Sequence, residues 1–258
     1  MMNVELLSRL LSEKGVAAEL IHYEITDSTN ERARVLARER SERVPTVIVA
    51  DAQTAGRGRR GRSFYSAEDV GIYVSFLIYP EQRGALATTV TARAAVALRR
   101  AVRSVSGLEA DIKWVNDLYA GGKKLAGILA ESEMASDGKI AALVVGMGIN
   151  VYKTSYPDEI SSIATSIEEQ CEMRVSREEL VAELARQMLT DIPSEGAIYE
   201  EYKSASLLLG ERITVHAVGG SYEALALDIL TDFSLLIERE DGSRDRVFSG
   251  EVSIRPAN

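Results

Sequence analysis

A single cysteine, Cys171, stands among 258 residues, which excludes an internal disulfide and a thiolate metal cluster. There are only two histidines, His22 and His216, far apart in the chain, so no metal-ligand spacing is written either. The longest apolar runs, such as Ile72–Tyr79 and Ile140–Val145, are strand-sized, far short of the roughly 20 residues that span a bilayer. Met1–Lys14 alternates apolar and charged residues and has no signal-peptide core. A G-x-S-x-G elbow, a Walker A lysine motif and a G-x-G-x-x-G fingerprint are all missing. Together these absences predict a protein of the reducing cytoplasm, without membrane association and without a covalent nucleophile. What remains is an ordinary globular composition, 46% hydrophobic and 27% charged, with room for one large domain or a large and a small one.

Basic charge is also scarce, with 30 Lys and Arg against 39 Asp and Glu and a formal net charge of −9. One segment departs from this. Gly56-Arg57-Gly58-Arg59-Arg60-Gly61-Arg62 packs four arginines and three glycines into seven residues, and subtracting its +4 from −9 leaves −13 on the rest. Alternating glycines bring backbone N–H groups close to a ligand, and arginine forks pair with carboxylate or phosphate. The loop reads equally as an anion site and as a solvated basic loop or nucleic-acid arm. The acidic remainder argues against nucleic acid, because a dedicated binder spreads its basic residues over a whole face.

The chain pattern predicts a helix over Val4–Lys14 closed by Gly15, then a strand over Leu20–Ile25. A helix over Asn30–Glu42 follows, with Ser28 and Glu31 spaced as a capping box. Thr46–Ala50 and Gly71–Tyr79 read as strands flanking the arginine–glycine stretch, and Leu86–Ser104 as a long alanine-rich helix. Ala110–Val115 is a predicted strand and Asn116–Gly122 a turn; Lys124–Glu133 and Lys139–Met147 form a hairpin. Asp158–Glu169, Ser176–Leu189 (Ser176 and Glu179 as a capping box) and Glu195–Ser204 read as helices. From about Leu208 the texture changes to four strands, Arg212–Ala217, Ser221–Ile229, Ser234–Arg239 and Arg244–Ile254, with Gly219-Gly220 and Asp241-Gly242 as turns.

Two further clusters carry chemistry. Lys113-Trp114-Val115-Asn116-Asp117 places polar residues at a strand end, where scaffold-fixed groups converge on ligands, and Lys124 heads the next strand. Both also read as an ordinary Asn-Asp turn with surface lysines. Gly146-Met147-Gly148-Ile149-Asn150 bares one strand face to close approach, or marks a bulge. Taken together these residues point to positioning and charge neutralisation around an anion.

In order, Asp27-Ser28-Thr29-Asn30, Gln53 through Arg62, Lys113 through Asp117, Lys124-Leu125-Ala126-Gly127-Ile128-Leu129, Gly146 through Asn150 and Gly250-Glu251-Val252-Ser253-Ile254-Arg255 resemble the biotin protein ligases. The resemblance implies an α/β (α+β) catalytic domain with a class II aminoacyl-tRNA synthetase-like mixed sheet and flanking helices. It also implies a small SH3-like all-β C-terminal domain, with the boundary at residues 1–206 and 207–258. The implied reaction makes biotinyl-5′-AMP from biotin and ATP with Mg2+, then transfers biotin to a lysine of a biotin carboxyl carrier domain. By the same resemblance Ser28, Thr29, Asn30, Gln53, Arg57, Gly58, Arg59 and Lys124 hold biotin. Arg59, Arg62, Lys113, Asn116, Asn150 and Arg255 face the nucleotide, and Lys124, Arg59 and Asp117 are catalytic. The metal ligands stay unassigned, with Mg2+ carried on the ATP phosphates. The loop is expected to order over the ligands and to keep water from the adenylate.

Departures from the family pattern are Val115 for proline, Phe64 for tryptophan, Ala67 for proline, Gly71 for asparagine and Phe233 for a turn glycine. Only 26 residues precede Asp27 and read as one helix and one strand, so a DNA-binding winged helix and an operator partner are not expected. Members of the family occur as monomers and dimers, and the sequence leaves a homodimer open. A lipoate ligase, a nucleic-acid binder and a catalytically inert biotin sensor are the competing readings.

Overall fold

The computed structural model describes residues 1–79, 86–217, 220–248 and 250–254. Two sheets organise it. The larger contains β1 (Glu19–Thr26), β2 (Thr46–Gln53), β3 (Gly71–Ile78), β4 (Asp111–Lys113), β5 (Asp117–Ala120), β6 (Lys123–Met134) and β7 (Ile140–Asn150). Their order is β1-β2-β3-β7-β6-β5-β4, with β1 and β2 parallel and every other pair antiparallel, so the expected mixed sheet is present.

Alternation along the strands gives this sheet two unequal faces. Val47, Val49, Ile72, Val74, Phe76, Leu143, Val145 and Ile149 point into the main core. On that side pack α1 (Val4–Glu13), α3 (Leu86–Ser106), α6 (Arg177–Leu189) and α7 (Glu195–Ser204). The opposite face carries α2 (Thr29–Glu39), whose Ala33 closes a small cluster with Ile48, Leu77, Tyr79, Ala142 and Val144. α2 covers only part of that face. Beyond it the strands present Ser75, Gly146, Gly148 and Gly127, and the missing side chains leave a trough. Gly127 pairs with Gly148, and Gly148 with Tyr73, so the trough runs across three strands.

The smaller sheet is antiparallel, in the order β11-β10-β9-β8-β12, from β8 (Arg212–Ala217), β9 (Gly220–Ile229), β10 (Leu235–Arg239), β11 (Arg244–Val247) and β12 (Glu251–Ile254). Its inward residues, among them Ile213, Val215, Ala226 and Leu235, belong to the same apolar cluster as the main core. Among the described residues no helix is long and apolar enough to cross a membrane.

Five local expectations change. Ser28 is the N-cap of α2, but its side chain makes no cap bond, and Glu31 pairs with Arg34 and Arg57 instead of closing a box. Asn116–Gly122 is not all turn, because Asp117–Ala120 is drawn into the ladder as β5. The helix expected over Asp158–Glu169 is two short ones, α4 (Asp158–Ser161) and α5 (Ile167–Cys171). Ser166 and Glu169 form a capping box that starts α5, while the backbone of Lys124 takes up Ile163 and Thr165 between the two. The last predicted strand splits, since β11 pairs with β10 and β12 crosses to β8. At Ser176 the cap bond to Glu179 N forms, at 3.2 Å, but Ser176 Oγ turns to Glu178. Gly219 and Arg255 lie outside the described residues.

Candidate active site

The trough deepens into a cleft of about 450 Å3. Its walls come from the start of α2, the ends of β2 and β7, the arginine–glycine loop, the β4–β5 turn, the start of β6, the α4 region and the edge of the small sheet.

One end is a hydrogen-bonded floor. Thr29 N donates to Gln53 Oε1 at 2.8 Å, and Gln53 Nε2 to Ser66 Oγ at 2.9 Å. Asn30 Nδ2 donates to Leu129 O (3.2 Å) and Glu131 Oε2 (2.9 Å). Asp27 sits just before them and accepts from Ser28 N, Thr26 and Arg32. Burial raises its pKa, but those bonds outweigh it, so Asp27 stays a carboxylate below the usual range. Gly146 and Gly148 let side chains, not backbone, come close. A Cβ on Gly146 would lie 1.9 Å from Asn30 Oδ1, and one on Gly148 would lie 2.3 Å from Phe64 Cε1. Phe64 stands over the trough in edge contact with Tyr73. Burial pushes the Tyr73 hydroxyl well up, and it remains a donor to Ala67 O at 2.8 Å.

The other end is charged. Lys124 Nζ lies 2.8 Å from Asp117 Oδ1. Asn116 Nδ2 donates to Ile128 O at 2.7 Å, which ties the β4–β5 turn to β6. The Trp114–Val115 peptide in that turn is cis. Lys113 Nζ donates to Tyr119 Oη at 3.2 Å.

The arginine–glycine loop arches between the ends. It closes on itself through Gly58 N to Arg62 O and Phe64 N to Gly56 O, with Arg60 (φ 55°) and Gly61 (φ 76°) in the left-handed region. Arg57 is clasped by Glu31 at 3.3 Å and Glu131 at 3.4 Å. Arg59 Nη1 reaches both Asn116 Oδ1 and Gly250 O at 3.1 Å, and Arg60 Nη1 donates to His216 O at 3.1 Å. The small sheet thereby holds the loop, and Trp114 Nε1 donates to Phe233 O at 2.8 Å beside it.

Ser28, Thr29, Asn30, Gln53, Arg57, Gly58, Arg59, Arg62, Lys113, Asn116, Asp117, Lys124 and Asn150 all line this one cleft. Sequence reasoning missed Tyr65, Tyr119 and Tyr156, the Ile160–Ala164 wall, and Gly250 and Val252 from the small sheet. It also missed Ser75 and Glu131 behind the floor. Aromatic residues immediately after the loop were the available signal for Phe64 and Tyr65, and Gly250 and Val252 lay in a segment that already carried the family resemblance; nothing local marks the others. Among the described residues no group of three or more His, Cys, Asp or Glu side chains is placed to hold a metal ion, and Asp117 is the one carboxylate among the lining residues.

The chain that builds this cleft has relatives. Residues 23–150 match the family model of the biotin/lipoate A/B protein ligase family. The bifunctional ligase/repressor BirA of Bacillus spizizenii is 30% identical over 251 residues, 95% of this chain and 76% of that protein. The biotin–acetyl-CoA-carboxylase ligase of Mycobacterium tuberculosis is 30% identical over 203 residues, covering 76% of this chain and 73% of that one. The structure of biotin protein ligase from Aquifex aeolicus in complex with biotin and ATP superposes with a TM-score of 0.77 at 30% identity, covering 93% of this chain and 99% of that chain. A cleft assembled from the shared motifs, on a fold and sequence alike over nearly the whole length, means that this chain belongs to the biotin protein ligase family.

Proposed function

We propose that the chain activates biotin with ATP as biotinyl-5′-AMP and passes the acyl group to a lysine of a biotin carboxyl carrier domain. The observation that carries this is the convergence of Arg59, Lys113, Asn116 and Lys124 at one end of a cleft whose other end is the hydrogen-bonded floor of Ser28, Thr29, Asn30 and Gln53, with Arg57 held by Glu31 and Glu131 beside that floor.

The cyclic ureido end of biotin suits that floor, and the apolar trough under Phe64 suits its ring and chain. The carboxylate then meets Lys124. ATP enters with Mg2+ on its phosphates, near Asp117, Asn116, Lys113, Arg59 and Arg62, with Asn150 toward the nucleoside. A carboxylate oxygen attacks the α-phosphorus and pyrophosphate leaves; the lysine and arginines offset the repulsion between two anions and the charge on the pentavalent phosphorus. In the second step the neutral acceptor amine attacks the acyl carbon, the bond to AMP breaks and AMP leaves, and the amine's proton passes to the Asp117 carboxylate. The loop excludes water from the mixed anhydride. In this reading residues 1–206 form the catalytic domain and 207–258 a small domain that lends Gly250 and Val252 to the cleft.

Lipoate is the second reading, because the matching family model covers both acids. Incubation with ATP, Mg2+, a carrier domain and either acid tests the choice. Biotinyl transfer with AMP and pyrophosphate release is the expected result; transfer of lipoate alone would overturn it.

A further inference from the structure

We propose that Ser75 is a positioning residue: its buried hydroxyl fixes Thr29 Oγ1 as a hydrogen-bond acceptor, so the floor selects a ligand N–H at that point. The proposal rests on the floor being the biotin ureido end, as read above.

The direction of each bond follows from groups that have no choice. Leu129 O can only accept, so the Asn30 atom 3.2 Å from it is the amide nitrogen, and Asn30 Oδ1 is the acceptor. Ser75 Oγ lies 2.6 Å from Asn30 Oδ1 and must donate its single proton there. Ser75 Oγ also lies 2.8 Å from Thr29 Oγ1, and with its own proton used it can only accept. The Thr29 hydroxyl proton therefore points at Ser75. The competing acceptor, Gln53 Oε1, is farther at 3.2 Å and already receives Thr29 N. Ser75 is fully buried, so no water competes for either of its two bonds.

Thr29 Oγ1 thus offers the cleft only lone pairs. Beside it the amide nitrogen of Gln53 uses one of its two protons on Ser66 and has one left for the cleft that Gln53 lines. An acceptor next to a donor matches a cyclic urea edge, N–H next to C=O. Ser75 is set by its strand register: it faces Gly146, whose lack of a side chain lets Asn30 reach it.

The test compares dissociation constants, by calorimetry on the full chain, for biotin and its two cyclic carbamate analogues, in which oxygen replaces one or the other ureido N–H. In the unaltered chain one analogue sets oxygen against Thr29 Oγ1 and binds roughly ten-fold more weakly than biotin. In Ser75→Ala the Thr29 hydroxyl keeps only the distant Gln53 Oε1, already taken by Thr29 N, as a protein acceptor, so its proton turns to that ligand oxygen and this ratio shrinks by roughly 3- to 10-fold, while ATP affinity stays within about two-fold. Ser75→Thr keeps the hydroxyl and keeps the ratio. The ratio compares two ligands on one protein, so a lower folded fraction does not move it. No discrimination in the unaltered chain, an unchanged ratio in Ser75→Ala, or its loss in Ser75→Thr overturns the relay. Biotin binding without adenylate formation would overturn the proposed function instead and leave the ratio to judge Ser75; no biotin binding at all would overturn both.

Discussion

Gly146 and Arg59 show how single positions set the chemistry. A methyl at Gly146 would overlap Asn30 Oδ1 at 1.9 Å, and Asn30 is held on its other side by Leu129 and Glu131, so it cannot retreat. Gly146→Ala should destabilise the fold by about 1–3 kcal/mol and weaken biotin binding more than ATP binding; urea denaturation and two binding titrations read this. Arg59 joins the loop to Asn116 and to the small sheet through one guanidinium nitrogen. Arg59→Ala should therefore let the adenylate escape and raise biotin labelling of free amines on bystander proteins. Labelling that stays confined to the carrier, with the adenylate retained, would refute that role. At this scale residue type narrowed the chemistry without settling it, because Arg, Lys and Gly each had an ordinary reading alone and gained a role only in the ordered set of motifs. Ser75 was not legible: a serine inside a strand carries no mark of the two partners, 46 and 45 residues away, that give it a purpose.

Among the elements, the arginine–glycine loop is the one whose behaviour matters most. It is short-bonded to itself and anchored at Arg57, Arg59 and Arg60, all through long exposed or half-exposed side chains. Such anchors each contribute little and exchange readily for a ligand carboxylate or phosphate. Hydrogen exchange at residues 56–62 should slow on adding biotin and ATP together; identical protection with and without them would exclude a closing loop. Elements with a strong period, α1, α7 and β3, were legible in sequence to within a residue or so of their ends. Those that depend on a neighbour were not. β5 is a strand because β4 and β6 flank it, and α4 and α5 separate because Lys124 claims the backbone between them.

For the whole molecule, stability depends on contacts between distant helices. Glu183 of α6 bonds to Arg186, Gln187 and Lys14, the C-cap of α1. Burial works against its charge, but these partners outweigh it and bring its pKa down to about 2 from 4.5. A folded value below the unfolded one contributes stability above pH 4.5 and loses it as pH falls from 4.5 toward 2. Across that window Glu183→Gln should flatten the fall of unfolding free energy with acidity, as followed by chemical denaturation; an unaltered slope would show the group to be uncoupled from folding. The two sheets also share one apolar cluster, and the small sheet reaches the cleft through Gly250 and Val252.

By residue type alone the sequence pointed to positioning and charge neutralisation around an anion, and by the ordered resemblance of the loop, the Lys-Trp-Val-Asn-Asp turn, Lys124 and the glycine strand to the biotin protein ligases it pointed to the reaction class and the order of its parts. Only the tertiary structure decided how those parts face one another. It put glycines of β6 and β7 opposite Asn30 and Phe64, gave Arg59 a partner 191 residues away, and oriented the protons of the cleft floor. The reason is physical: a helix or a turn is settled by neighbours a few residues apart, whereas the direction of a buried hydrogen bond is settled by whichever donor or acceptor the fold brings to it.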